Sequence, residues 1–163
     1  MLDEHRMGMG TDMTRSEVYE KYADDLVRFA TGLVGPADGP DLVSAAMMKV
    51  LWSQRWESVE SPRAYLYRAV LNEARREHRS ALRRRAVEAR AAGPGTALAP
   101  PEVRPDVLDA VGQLSARQRA IVFLTYWEDL RPAEIARRLG LSEGTVHRHL
   151  SRGEARLKRL LHD

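Results

Sequence analysis

Residues 91–105 read AAGPGTALAPPEVRP, and this stretch decides how the chain can be organised. It holds almost nothing that could build a core, and its Gly and Pro residues break regular structure. At about 3.3 Å per extended residue, such a segment spans about 50 Å, so the parts on either side are free to lie apart. The 163 residues are therefore expected to divide into two small units with separate cores. The predicted organisation is a disordered extension over 1–14, a helical domain over 15–86, a linker over 87–104 and a second helical domain over 105–163.

Helical spacing dominates both units, and no segment reads as a strand, so the fold class is all-α. Thr14-x-x-Glu17 forms a capping-box pattern. Val18, Tyr19, Tyr22, Leu26, Phe29 and Leu33 follow at helical spacing until Gly35-Pro36 stops the helix. A second helix begins near Asp38, with Leu42, Val43, Ala46, Met47, Val50 and Leu51 as its buried stripe. A polar loop from Trp52 to Glu60 leads to Ser61-Pro62, an N-cap and first helical residue for a long helix reaching about Arg85. Beyond the linker, Ser115-x-x-Gln118 opens a helix with Ile121, Val122, Leu124 and Tyr126 or Trp127 on its apolar face. Two further helical patterns cover 132–139 and 143–161.

Composition narrows the function classes. The chain has no cysteine, which removes disulfides, thiolate metal sites and a cysteine nucleophile. No run of about 18 apolar residues is present to span a bilayer, and the first residues lack a signal peptide's apolar stretch. A cytoplasmic protein without membrane contact is expected, whether it starts at Met1 or at a later Met. Residues 1–61 hold 6 basic and 11 acidic groups, whereas residues 62–90 hold 9 basic and 3 acidic. An acidic first third followed by basic segments suggests two kinds of partner surface, the basic one suited to phosphate. Solubility alone would also account for such charges.

The segment from Glu134 to Val146 has the spacing of a helix-turn-helix. Ile135 and Leu139 give the first helix a buried edge, and Ala136 is small where two helices meet. Gly140 stands where the chain must leave that helix, a position where a left-handed conformation costs glycine little. Ser142 can cap the next helix, and Val146 and Leu150 return to the core. With Val146 at zero and about 100° per residue, Leu150, Leu157, Leu160 and Leu161 cluster beside it. His147, Arg148, Ser151 and Arg152 fall opposite, with small Gly144 and Ala155 among them. Long donors beside small residues suit a helix in the major groove; a solvated amphipathic face is the plainer alternative. His147 and His149 lie about 200° apart and cannot share a metal ion.

On the helix from Pro62, Arg68, Asn72, Arg75, Arg76, Arg79 and Arg83 share one face about 100° wide. Leu66, Tyr67, Val70, Leu71, Ala74 and Ala81 occupy the other. Five arginines and an asparagine form an electrostatic footprint for nucleic acid, unless the stripe is only a solvated surface. Trp52 and Trp56, just upstream, can stack on unpaired bases or serve as core anchors, Trp52 more readily as an anchor.

The order of these parts resembles the extracytoplasmic-function (ECF) sigma factors, group 4 of the sigma-70 family. Three stretches carry the likeness: Asp41-Leu-Val through Leu51-Trp52; Pro62-Arg-Ala-Tyr-Leu-Tyr-Arg68 with Asn72 and Ala74; and Leu114-Ser-Ala-Arg-Gln-Arg119 through Glu134-Ile-Ala and Gly144-Thr-Val146. They cover roughly residues 15–85 and 104–161. The resemblance implies partners: core RNA polymerase, through its largest-subunit clamp and its flap, promoter DNA, and an anti-sigma factor. It implies that Asp41, Leu42, Ala45, Met48, Lys49 and Trp52 face the clamp. The loop Arg55–Ser61 would hold a flipped base, with Trp56, Arg68, Asn72, Arg75, Arg76 and Arg79 touching the melted −10 element. Ser142, Thr145, His147, Arg148, Ser151, Arg152 and Arg156 would read the −35 element. The chain departs from the family pattern in Ser44-Ala45-Ala46-Met47, where Gln-Glu or Gln-Asp before an aromatic is usual. It departs again at Arg76 and His78, and at Arg131 in place of a Ser or Thr cap.

A helix-turn-helix regulator that binds an operator without polymerase is the alternative reading, but it leaves the arginine helix and aromatic loop without a role. An enzyme is not expected, since there is no P-loop, no Gly-rich nucleotide turn and no Ser/His/Asp set at recognisable spacing. No cofactor or metal is expected either.

Overall fold

Thr14 and Ser115 start their helices as their sequences require. The Glu17 amide donates to Thr14 Oγ1 at 3.3 Å while Glu17 Oε2 accepts from the Thr14 amide at 2.7 Å. Gln118 and Ser115 repeat the exchange at 3.2 and 3.0 Å. The computed structural model describes residues 13–88 and 105–162. They form α1 (Arg15–Val34), α2 (Gly39–Leu51), a 3-10 turn (Trp56–Ser58), α3 (Pro62–Glu88), α4 (Pro105–Gly112), α5 (Ala116–Tyr126), α6 (Pro132–Leu139) and α7 (Glu143–His162). The expected N-terminal extension, apart from Met13 and Thr14, and the linker from residue 89 onward lie outside the described residues. The long helix runs to Glu88, past the expected end near Arg85.

α1, α2 and α3 pack on one another around Leu26, Phe29, Leu42, Leu66 and Val70, all essentially inaccessible. α5, α6 and α7 close around Leu114, Ile121, Leu124, Ile135 and Val146. Leu51, expected in the α2 stripe, is instead 46% exposed, because it lies past the edge of the face that meets α1 and α3. Tyr126 and Trp127, offered as part of the α5 apolar face, are 61% and 75% exposed. They fall at the end of α5, where the chain turns toward α6. In that turn Asp129 adopts φ 51°, a left-handed conformation unusual for a residue with a Cβ.

The two halves, expected from the sequence to be free to lie apart, are joined. α1 lies against α5, and α3 lies against α5 and α6, so the buried side chains of both halves form one continuous core. The key is Gly32. A Cβ placed there would sit 2.4 Å from Phe123 Cδ2, so the Phe123 ring occupies the space a larger residue would fill. Phe123 continues an aromatic series through Phe29, 6.4 Å away between centroids, to Tyr67 at 4.9 Å from Phe29. Around this contact Arg28 Nε donates to Glu128 at 2.7 Å. Arg119 donates to the Leu33 carbonyl and lies 2.9 Å from His78 Nδ1. Arg138 rests on the Tyr67 ring at 5.1 Å.

Candidate nucleic-acid interface

α6 and α7 form the helix-turn-helix. Ile135, Ala136, Leu139 and Val146 are buried, and Gly140 ends α6 at φ 63°, ψ 40°. The Gly140 amide donates to Ala136 O, and Leu141 donates to the same oxygen at 2.9 Å. Ser142 Oγ accepts from the Thr145 amide at 3.1 Å, holding the start of α7. At α6 the cap is one-sided. Glu134 accepts from the Arg131 amide at 2.9 Å, but a guanidinium has no acceptor to return the bond. The turn puts Ser142, His147, Arg148, Ser151, Arg152 and Arg156 in solvent on α7, with Thr145 half-buried behind them. Leu150, Leu157 and Leu160 are half-buried on the other side, and Leu161 at the end is exposed.

α3 presents the second basic face. Arg68, Asn72, Arg76, Arg79 and Arg83 are exposed, and Arg75 is half-buried. Burial first, then the nearby Arg117 and Arg79, lowers the pKa of the Arg75 guanidinium. Beside this face the loop from Ser53 to Ser61 bounds a cleft of about 780 Å³. Its walls include Arg55, Ser58, Val59, Tyr65, Arg68, Asn72 and Arg76. Arg137 and Gly140 of the helix-turn-helix close one side of it. A Cβ on Gly140 would lie 2.8 Å from Arg68 Cδ, so Arg68 is pressed against the end of α6.

The tryptophans differ in their surroundings, and the one expected more readily as an anchor is not the one that anchors. Trp56 is the anchor: half-buried, its ring meets Tyr65 edge-on at 6.1 Å, and Arg15 lies over it at 5.9 Å. Trp52, just past the end of α2, is 81% exposed. It shares an outer face with Asp41, half-buried Ala45 and Met48, and with Leu51 it makes an apolar patch in solvent. Lys49 lies at the edge of that face, paired with Glu73 of α3. Leu42 does not belong there. It is fully buried between α1 and α3 and cannot meet a partner, because it sits about 100° around the helix from Asp41.

Sequence reading missed Arg137, which reaches the cleft from the other half, and Arg117, which faces Arg75. Neither carries a local signal, since their positions depend on how the halves pack. Among the described residues no helix is long and apolar enough to cross a membrane.

An all-helical protein with a helix-turn-helix and a separate arginine-lined helix bordering an open cleft has the features of a DNA-binding protein. The sequence comparisons specify which. Residues 18–85 match the model for Sigma-70 region 2, and residues 104–157 match the model for Sigma-70, region 4. The RNA polymerase sigma-E factor of Streptomyces antibioticus is 32% identical over 159 residues, covering 93% of this chain and 87% of that one. The ECF RNA polymerase sigma factor SigL of Mycobacterium tuberculosis is 32% identical over 143 residues, 82% of this chain and 80% of its own. The fold is similar to that of the sigma factor RpoE solved with the anti-sigma factor NepR from Bartonella quintana, with TM-score 0.62 and 24% identity over 90% of this chain and 95% of that one. The chain belongs to the extracytoplasmic-function sigma factors of the sigma-70 family. It is a sigma factor, a protein that binds core RNA polymerase and directs transcription initiation at promoters. A stand-alone operator-binding regulator is not favoured, because both matched regions are accounted for in the order a sigma factor requires.

Proposed function

We propose that the two halves divide promoter recognition between them. Residues 15–86 hold and melt the −10 element and residues 105–163 read the −35 element, joined by a linker over 87–104. The observation that carries this is the cleft between the Ser53–Ser61 loop and α3, with Arg68, Asn72 and Arg76 on one wall. It is polar and roomy enough to admit unpaired bases while the arginines hold the strand's phosphates. Asp41, Ala45, Met48, Lys49 and Trp52 dock on the polymerase clamp, a role supported by the exposed apolar patch they border. Ser142, Thr145, His147, Arg148, Ser151, Arg152 and Arg156 face the −35 major groove. The protein works in the cytoplasm, performs no chemistry of its own and needs no cofactor. An anti-sigma factor is a further partner, a reading supported by the neighbour solved with NepR.

Run-off transcription with purified core polymerase on genomic fragments tests this reading. Discrete transcripts should require both the chain and core polymerase. Arg75→Ala with Arg79→Ala should impair promoter opening and lower the salt slope of binding by about 1–2. Tight operator binding by the chain alone, with no polymerase-dependent transcript, would reject it.

A further inference from the structure

The same inter-half seam that packs Phe123 on Gly32 also gathers positive charge. Arg119 in the first turn of α5 lies 2.9 Å from His78 of α3, which places that turn one helical turn beyond Arg75. On its other side α5 meets α7. A Cβ on Gly153 would lie 3.3 Å from Val122 Cγ2 and 3.6 Å from Gln118 Cβ. His149 stands one turn before Gly153, and Arg117 precedes Gln118. His149 of α7 therefore lies near Arg117 of α5 and Arg75 of α3, with Arg148 and Arg152 beside it on α7, while Arg79 donates to the Arg75 carbonyl at 3.3 Å.

These groups feel one another. Burial first, then Arg117, Arg152, Arg148 and Arg75, pushes the His149 imidazole below its ordinary pKa. Arg117 Nε and His149 Nδ1 are shut off from solvent with no hydrogen-bond partner. None of the five arginines forms an ion pair among the described residues. Like charges held together without an acid are a standing cost, and the Arg117 Nε donor left unbonded adds to it.

We propose that this seam is a binding site for a compact oligophosphate, a free polyphosphate or the polyphosphate end of a nucleotide, which locks the two halves together. Guanidinium groups grip phosphate oxygens in pairs, and an anion of several charges can engage the outer guanidinium nitrogens of arginines from three helices at once. A cluster gathered from three helices favours a compact anion over a strand, which needs a track. Arg75, Arg148 and Arg152 are also the groups assigned to promoter DNA, so an oligophosphate in the seam competes with the promoter. That consequence rests on the proposed division of promoter recognition; the binding site itself does not.

The test uses the full chain and inorganic tripolyphosphate. Because the protein has no native cysteine, Glu20→Cys with Lys158→Cys gives a clean pair of labels across the seam. Tripolyphosphate should bind one per chain, raise the melting temperature and narrow the label-distance distribution. Arg117→Gln should weaken binding by about tenfold or more, and Arg117→Lys should recover part of it. Equal affinity in Arg117→Gln, with its helical circular dichroism intact, would overturn the proposal. So would sodium sulfate at matched ionic strength giving the same shifts, which would reduce the effect to screening. A six-residue oligothymidylate that binds where tripolyphosphate does not would make the seam a nucleic-acid track and overturn it too. Loss of polymerase-dependent transcription in the unmutated chain would strike the promoter reading alone, leaving tripolyphosphate binding to be judged separately.

Discussion

The two basic helices of this sigma factor stand in different situations. On α7 the groups proposed to face the −35 groove, His147, Arg148, Ser151, Arg152 and Arg156, lie in solvent. On α3 the corresponding face is partly occupied by the protein itself. Arg68 is pressed against Gly140, Arg75 is half-buried near Arg117, and the adjoining cleft is walled on one side by Arg137. One proposed DNA face is open to solvent, while the other shares its space with its neighbour. The contrast teaches that charge alone does not define a nucleic-acid surface: the same residue type is free on one helix and engaged on the other.

The strongest way to break this contrast is to pry the halves apart. Gly32→Leu places a side chain where the Phe123 ring sits, and overpacking of this kind costs about 1–3 kcal/mol. Leucine is the better helix former by about 1 kcal/mol, so α1 itself should not suffer. Small-angle scattering should report an expanded particle with unchanged helix content. An unexpanded particle would mean that contacts other than Phe123 hold the closed form.

The open face is tested by specificity. Arg148 and Arg152 lie about 40° apart and one turn from each other on α7, so both guanidiniums can enter the same stretch of groove. Arg152→Ala should lose about 1–3 kcal/mol of discrimination at one or two −35 positions, the worth of a bidentate contact to guanine. Arg156→Ala should weaken all promoters alike, as a phosphate contact does. A promoter library read by transcription separates these outcomes. Uniform loss with Arg152→Ala would demote it to positioning.

Much of this was legible in the sequence where the physics is local. Gly140, Ser142 and Val146 do what their spacing requires, because a turn, a cap and a buried valine involve only neighbouring residues. Thr14 and Ser115 are legible for the same reason. What escaped depends on distant partners. Nothing around Trp52 or Trp56 says which has Tyr65 and Arg15 beside it, so the anchor could not be told from the sequence. Leu42 entered the clamp-facing set by resemblance, although a helical wheel separates it from Asp41. The union of the two cores rests on Gly32 and Phe123, some ninety positions apart, which no periodicity connects. Arg117 and Arg137 gain their significance only from that union.

Two smaller effects sharpen the picture of the second half. Asp129 holds φ 51°, which glycine adopts at less cost. Asp129→Gly relieves that strain but adds freedom to the unfolded chain, for a net gain of roughly 0.5 kcal/mol. The expected rise in melting temperature is about 1–2 °C. A fall would mean that the Asp129 side chain contributes to the turn. His149 supplies a pH dependence. Its folded pKa is lowered, chiefly by burial and then by the arginines around it, so the unfolded state takes the proton first. The stability it contributes is complete above its ordinary value of about 6.5 and is lost as the pH falls below that. Thermal melts at pH 7.5 and 5.5 should differ less in His149→Gln than in the unmutated protein. An identical difference would place the pH sensitivity elsewhere.

Gly140 has a consequence for how this protein can change over generations. Its left-handed backbone lets α6 end and α7 begin, and its bare Cα lets Arg68 lie against it. Any side chain at this position strains the turn and pushes that arginine aside in the same step. A lineage cannot loosen the contact between the halves here without also damaging the reading motif. Gly32 carries no positive φ and offers an independent path. Heritable tuning of closure is therefore expected to accumulate around Gly32 and Phe123, with Gly140 held fixed. A mutational scan selected on transcription should find substitutions tolerated at Gly32 and purged at Gly140.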